Sequence, residues 1–277
     1  MIVTLWGTRG SIASSGPETV AYGGNTSCVE VRDRGGTVVV LDGGTGIRRL
    51  GLALSPDMPR IDLLLTHLHM DHIQGLGFFG PLFRAGVEVH IWGPPSTTMP
   101  LGDRLARYLS PPLFPVRLRE LPSRVELHDV PRGPFRIGAF EVLARPVIHP
   151  GPTVGYRLTE GSLTVAYLPD HEPALGTGAF PGPPDWTSGF ELAEGADLLI
   201  HDAQYTADEY ARRVGWGHSR VADAVGLARL AGARRLVPFH HDPDHDDRTL
   251  DRLVAEARAV AGSVEIVAGR EGARIEL

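Results

Sequence analysis

The segment Thr66-His67-Leu68-His69-Met70-Asp71-His72 sets three imidazoles and one carboxylate within six residues, directly after the apolar run Ile61-Asp62-Leu63-Leu64-Leu65. Neutral imidazole and carboxylate oxygen are the donors that Zn²⁺ and related divalent ions prefer. A metal held by such donors lowers the pKa of bound water, so the chemistry on offer is hydrolytic. A regular strand would turn neighbouring side chains to opposite faces. The spacing therefore calls for a loop that leaves a strand and aims His67, His69, Asp71 and His72 at one point. A solvated loop with incidental histidines is the weaker reading of HxHxDH in this position.

Four neighbouring ligands cannot complete two metal sites, so further donors are expected from other strand ends. His149 follows the run Phe140 to Ile148, Asp170 follows Val165-Ala166-Tyr167-Leu168-Pro169, and His240 follows Leu236-Val237-Pro238-Phe239. Each stands just past an apolar strand, as His67 does. His240 and its neighbour His241 compete for the last position. His245 and the aspartates 242, 244, 246 and 247 read as a solvated loop that caps the final helix, where negative charge is favourable.

The elements that must position these residues are short. Strands are expected at Ile2 to Trp6, Cys28 to Val31, Thr37 to Leu41, Ile61 to Leu65, Val87 to Trp92, Phe140 to Val147, Thr153 to Leu158, Leu163 to Leu168, Asp197 to His201, Arg235 to Pro238 and Val264 to Val267. Helices are expected over 45–53 and from Leu101 to Leu109. Val221, Ala224, Val225 and Ala228 recur with the helical period, as do Leu250, Leu253, Val254, Ala257 and Val260. Prolines 111, 112, 115, 122, 131 and 134 break the middle into loops and short strands. Residues 172–185, rich in Pro and Gly, are expected to form a surface loop. The pattern is α/β: two sheets with helices outside them. No linker divides it, so residues 1–277 are read as one domain.

Composition narrows the function classes. The chain has 277 residues, 42% hydrophobic and 22% charged, and needs neither disulfide nor structural metal merely to fold. The formal charge is −6, with no lysine among its 27 basic residues, which fits poorly with gripping a large polyanion. Cys28 is the only cysteine, so no internal disulfide forms and a reducing cytoplasm is compatible. The first residues read as a strand and not a signal peptide, and no uncharged run approaches the roughly 18 residues needed to span a membrane.

On these motifs the chain resembles the metallo-β-lactamase superfamily from Met1 to about residue 270. The resemblance implies the four-layer αββα sandwich. It also implies that His67, His69 and His149 hold one divalent ion, that Asp71, His72 and His240 hold the other, and that Asp170 bridges the two. Zn is the first expectation for both ions and Mn the second. Asp42, in Leu41-Asp42-Gly43-Gly44-Thr45-Gly46, matches the family's early buried aspartate that supports the metal loop.

The branch is read from the later motifs. His149 lacks the Gly-His-Ser/Thr-x-Gly context of the β-lactamases and glyoxalase II-like thioesterases. It is followed by Gly155-Tyr156-Arg157, which resembles the phosphodiesterase branch: ribonuclease Z and phosphoribosyl cyclic phosphodiesterase. His201-Asp202-Ala203-Gln204-Tyr205 with Gly217-His218-Ser219 resembles that branch's paired His-Glu-Ala-Thr and His-Ser-Thr elements. By this match His218 faces the substrate phosphate and Asp202 steadies it, although Asp is shorter than the usual Glu. Alternatively, His218 is a loop residue before a helix capped by Ser219. Only 21 positions separate His149 from Asp170, whereas ribonuclease Z enzymes usually insert a tRNA-binding arm there. Gly7 to Ser11 and Gly23 to Ser27 also resemble the cyclic-phosphodiesterase-like group, with Asn25 and Thr26 either near the metal loop or merely turn formers.

The expected activity is therefore hydrolysis of a small cyclic or nucleotide-like phosphodiester by a hydroxide held between two metal ions. Asp71 would orient the nucleophile and His218 would serve the leaving oxygen. A membrane partner is not expected, a large nucleic acid is disfavoured, and a homodimer is compatible with the resemblance. The alternatives are a thioesterase or lactonase on the same fold, a tRNA 3′-processing endonuclease, a diiron redox protein and a non-catalytic scaffold.

Overall fold

Apolar runs flanked by glycine turns build two sheets, which the computed structural model describes over residues 1–177 and 180–277. The first half of the chain supplies β1 (Ile2–Gly7), β2 (Cys28–Arg32), β3 (Val38–Leu41), α1 (Ile47–Ala53), β4 (Arg60–Leu64), α2 (Met70–Ile73), β5 (Glu88–Gly93), α3 (Leu101–Ala106) and β6 (Arg124–Asp129). The second half supplies β7 (Phe135–Ile137), β8 (Phe140–Pro146), β9 (Val154–Glu160), β10 (Leu163–Leu168), α4 (Phe190–Ala193), β11 (Leu198–Asp202), α5 (Ala207–Ala211), α6 (Val221–Leu230), β12 (Arg235–Phe239), α7 (Asp247–Val260), β13 (Glu265–Ile266) and β14 (Arg274–Glu276).

The sheet orders are β14-β1-β2-β3-β4-β5-β6 and β13-β12-β11-β10-β9-β8-β7. Each sheet is antiparallel on one side and parallel on the other. β3 to β6 run parallel in the first sheet, and β10 to β13 in the second. Crevices outside the carboxyl ends of parallel strands are where ligands bind in α/β sheets. The loops that carry Asp42, the 66–72 motif, Asp170, Asp202 and His240 all leave such ends.

Three apolar layers define the sandwich. Val3, Leu5, Val29, Val39, Leu41, Tyr156, Val165 and Val237 fill the space between the sheets. Outside the second sheet, Ala224, Val225 and Ala228 of α6 and Leu250, Leu253 and Val254 of α7 pack on Leu199 and Leu236. Outside the first sheet, Ile47 and Leu50 of α1 and Leu101 and Leu105 of α3 cover Val38, Val40 and Ile91. β3 is buried on both faces, which is why it reads as the unbroken run Val-Val-Val-Leu. The four-layer αββα architecture is the expected one. No helix among the described residues is long and apolar enough to cross a membrane.

Some elements differ from expectation. The 66–72 motif is not all loop: His69 starts the short helix α2, so Asp71 and His72 lie in a helical turn. β6, a polar edge strand of alternating charge, and the three-residue strands β7 and β14 carry too little apolar signal to be read from the sequence. The expected loop over 172–185 includes 178 and 179, which lie outside the described residues.

Candidate metal centre

Seven side chains from distant parts of the chain meet at one edge of the sandwich. His67 Nε2 and His149 Nε2 lie 3.7 and 3.6 Å from Asp170 Oδ2, and His149 Nε2 lies 3.3 Å from His69 Nδ1. On the other side of the same carboxylate, His72 Nε2 and His240 Nε2 are 2.9 and 3.2 Å from Asp170 Oδ1. Asp71 Oδ2 is 3.2 Å from His72 Nε2 and 3.0 Å from His240 Nε2. The structure thus gathers two groups that share Asp170, His67-His69-His149-Asp170 and Asp71-His72-Asp170-His240, with a third, Asp202-His218-His240, joined to the second through His240. Ligand atoms about 2.1 Å from a tetrahedral ion stand about 3.4 Å apart, the spacing seen in both groups.

The proton inventory shows what these groups can bind. His149 Nδ1 donates to the Gly217 carbonyl at 2.8 Å, so its Nε2 carries the lone pair. Thr66 Oγ1 donates to the Asp42 carboxylate and accepts from His67 Nδ1 at 3.0 Å, which leaves the lone pair on His67 Nε2. His72 Nδ1 donates to Asp42 Oδ2 at 2.8 Å, and His240 Nδ1 donates to Gln204 Oε1 at 3.0 Å. Their Nε2 lone pairs then face each other at 3.3 Å, an arrangement that needs a cation. His67 Nε2 is buried with no hydrogen-bond partner among the described residues. Such an orphaned atom requires an explanation, and a metal ion supplies one. The donor set therefore fits two divalent cations.

Charge points the same way. Asp42, Asp71, Asp170 and Asp202 are all buried, and their ion-pair partners among the described residues are histidines. Burial raises the pKa of Asp71 and Asp170, but the facing histidines outweigh it and hold both well below the usual carboxylate range. Burial pushes His67, His69 and His149 down, so they stay neutral and able to ligate. Burial opposes a charge on His72 as well, yet Asp170, Asp71 and Asp42 raise it well above the ordinary histidine value. Without a metal, protons gather where the cations would sit.

The support of these ligands is extensive. Asp42 accepts from the Thr66 amide and hydroxyl, from His72 Nδ1 and from Tyr167 Oη at 2.9 Å. The Ser11 amide donates to Asp71 Oδ2 at 2.8 Å. Ser11, Asp42 and His240 are the non-glycine residues with left-handed backbone among those described, with φ near 60°. Strain of this kind clusters where a site demands it. Gly10 is needed because a Cβ there would stand 2.3 Å from His240 Nδ1.

His240 enters the centre and His241 does not: the His241 ring donates to the Gly269 carbonyl and meets Tyr22 edge-on. Asp246 does cap α7, accepting from the Thr249 amide, but the neighbouring loop is not solvated as expected. Asp242 and His245 are buried, because their carbonyls take the Arg9 guanidinium. Asn25 and Thr26 brace the loops behind the centre: Asn25 binds Glu271, and Thr26 pairs with Arg9 and exchanges bonds with Thr45.

His218 stands beside the centre. Its Nδ1 donates to Asp202 Oδ2 at 2.7 Å, so the shorter carboxylate does reach it. Its ring stacks on His240 at 5.0 Å, and its Nε2 makes no hydrogen bond among the described residues. Burial disfavours a charge on His218, but Asp202, with Asp170 and Asp71 behind it, lifts its pKa to about 9. Asp202 is held by the amides of His171, Gln204 and Ser219. Ser219 does not cap the next helix. Its hydroxyl donates to the His171 carbonyl, and Arg220 occupies the cap position of α6. Tyr167 and Glu172 escaped the sequence reading, since neither belongs to a motif and only the fold brings them here.

Comparisons with known proteins agree with this geometry. The profile described as "Beta-lactamase superfamily domain" matches residues 37–241. A ribonuclease Z of Geobacillus kaustophilus is 26% identical over 245 residues, 74% of this chain and 77% of its own length. The metallo-beta-lactamase fold protein YhfI of Bacillus subtilis superposes with a TM-score of 0.73 at 22% identity, covering 99% of each chain. A diphosphatase of the PhnP family superposes with a TM-score of 0.69 at 20% identity, covering 100% of this chain and 97% of its own. With that profile spanning most of both sheets and every donor of the centre, from His67 to His240, the chain belongs to the metallo-β-lactamase superfamily.

Proposed function

We propose that this hydrolase cleaves a small phosphodiester with two divalent cations, one held by His67, His69 and His149, the other by Asp71, His72 and His240, with Asp170 between them. Zn is preferred for the imidazole-rich set and Mn is the second choice. The observation that carries the reading is the pair of donor groups sharing Asp170, with the Asp202–His218 couple beside them. Bound ions of this kind lower the pKa of water and offset phosphate charge. The chain does the rest. The Ser11 amide and His240 hold Asp71 Oδ2, which can accept a hydrogen bond from the attacking water and so orient it. Asp202 fixes the His218 tautomer and keeps the ring charged, so Nε2 can donate to the leaving oxygen.

A small substrate is favoured by the segment between His149 and Asp170. β9 and β10 use it up as a hairpin turning at Gly161 and Ser162, which leaves no arm for a tRNA. The tRNA 3′-processing reading stays as the second, because curated relatives carry the name ribonuclease Z and weigh against excluding a large nucleic acid. The test is a panel on metal-loaded protein: bis-p-nitrophenyl phosphate, a thioester, a lactone and a precursor tRNA. Turnover of the diester alone supports the proposal. Turnover of the thioester or lactone without the diester would overturn it, and 3′ cleavage of the precursor at a comparable rate would establish the second reading. Asp170→Asn should lower the content of both metals, whereas His218→Asn should cut turnover and leave metal content intact.

A further inference from the structure

Between α5 and His218 the chain displays a tryptophan on a rigid mount. Glu172 is fully buried, and its carboxylate accepts from Tyr210 Oη at 3.0 Å, from the Gly215 amide at 2.8 Å and from the Gly217 amide at 2.7 Å. Gly215 and Gly217 have φ of 85° and 91°, which only glycine adopts readily. Trp216 lies between these two clamped glycines with 61% of its surface exposed. The clamp sits on the centre itself: the Gly217 carbonyl receives the His149 Nδ1 proton, and the next residue is His218.

Holding an exposed indole this firmly has costs on both sides. The ring stays in water, and a buried carboxylate is committed to two backbone amides and a phenol with no ion-pair partner among the described residues. Such pre-organisation suits a recognition surface, since a backbone already fixed beneath the ring has little entropy left to lose on binding. The surroundings fit one ligand chemistry. The Arg213 guanidinium lies 6.0 Å from the Trp216 ring centre and 5.0 Å from that of Tyr205, which stands edge-on to His218 at 5.7 Å. Arg213 Nη1 is buried beside these rings with no hydrogen-bond partner among the described residues. Ile12, one residue past the Ser11 amide that binds Asp71, and Met70, between His69 and Asp71, are also exposed. The centre is thus flanked by exposed apolar groups on two loops and on the first turn of α2, and by one cation without an ion-pair partner among the described residues.

We propose that Trp216 is the specificity-determining residue of the phosphodiesterase described above, stacking on an aromatic, base-like ring carried by the substrate, with Arg213 beside it for the substrate's polar groups. This rests on the phosphodiesterase reading, and the test separates the two. Thymidine 5′-(p-nitrophenyl) phosphate and methyl p-nitrophenyl phosphate share the reacting bond and differ in the base. In metal-loaded W216A the ratio of kcat/KM for the nucleoside ester to that for the methyl ester should fall about tenfold or more through KM, the size of one lost base–aromatic stack. W216F should restore most of it. An unchanged ratio, whether both esters suffer equally or neither does, would overturn the inference. If the wild type cleaves neither ester, the phosphodiesterase reading falls, and thymidine 5′-monophosphate binding by calorimetry decides the stack. Affinity reduced about tenfold in W216A sustains it. Equal affinities, or no binding by the wild type, overturn it.

Discussion

Replacing Asp42 by Asn exchanges one carboxylate oxygen for an amide nitrogen in a site where every neighbour is a donor. Oδ1 takes the Thr66 amide, Oδ2 takes His72 Nδ1 and Tyr167 Oη, and the Thr66 hydroxyl reaches both. Whichever oxygen becomes nitrogen, one or two of these buried donors then face another donor. Each unsatisfied buried group costs about 1–3 kcal/mol, so D42N should lose about 2–4 kcal/mol. That is well inside a typical stability of about 5–15 kcal/mol, so the protein still folds. Backbone strain does not confound the comparison, because Asn tolerates the left-handed φ of 61° as Asp does. Tyr167→Phe removes one of the donors and should cost only about 1 kcal/mol. The second effect is on metal. With the His72 tautomer no longer locked, affinity should fall about 10- to 100-fold. Urea denaturation of the metal-free protein reads the first effect, and competition with a chromophoric zinc chelator reads the second. A D42N protein with wild-type midpoint and wild-type metal affinity would refute the reasoning.

Three further outcomes are expected. Gly217→Ala puts a Cβ 2.3 Å from His149 Nδ1 at a φ of 91°, so it should displace His149 and lower metal occupancy from two ions toward one, read by elemental analysis. In the metal-free protein His218 has a pKa of about 9, above the unfolded value of about 6.5. Its charged form therefore adds stability that is complete below pH 6.5 and lost as pH rises to 9, at up to about 1.4 kcal/mol per pH unit. Denaturation midpoints between pH 6.5 and 9 should fall less steeply in H218N, and identical slopes would count against the Asp202–His218 pairing. Adding Zn²⁺ or Mn²⁺ to the metal-free protein should raise Tm and release protons, since His72 is held protonated only until a cation replaces its proton. Calorimetry in two buffers of different ionisation enthalpy measures that release, and a binding heat independent of buffer would contradict it.

Much of this molecule is legible along the chain because its information is local. An apolar run between glycines is a strand wherever it is packed, so the strands from Ile2 to Val267 and the helices at 221 and 247 could be read from period and punctuation. The 66–72 motif and the positions of His149, Asp170 and His240 just past strand ends are likewise facts of covalent order. β6 and β7 were obscure because each carries only two apolar residues, Val125 and Leu127 in one and Phe135 and Ile137 in the other, too short an alternation to stand out among the prolines of the middle segment.

The tertiary structure alone decided how those residues act. Which of two adjacent histidines enters the centre depends on a left-handed turn at His240, and no residue type at 240 or 241 announces it. The lone pairs of His67, His72, His149 and His240 point inward because Thr66, Asp42, Gly217 and Gln204 take their other protons, and those partners come from separate loops. Glu172 holds the Trp216 loop from 43 and 45 residues away, through bonds that exist only once the loop after β10 meets Tyr210 of α5. Donor identity is written in one dimension, whereas proton placement and rigidity arise from long-range contacts that sequence spacing does not encode.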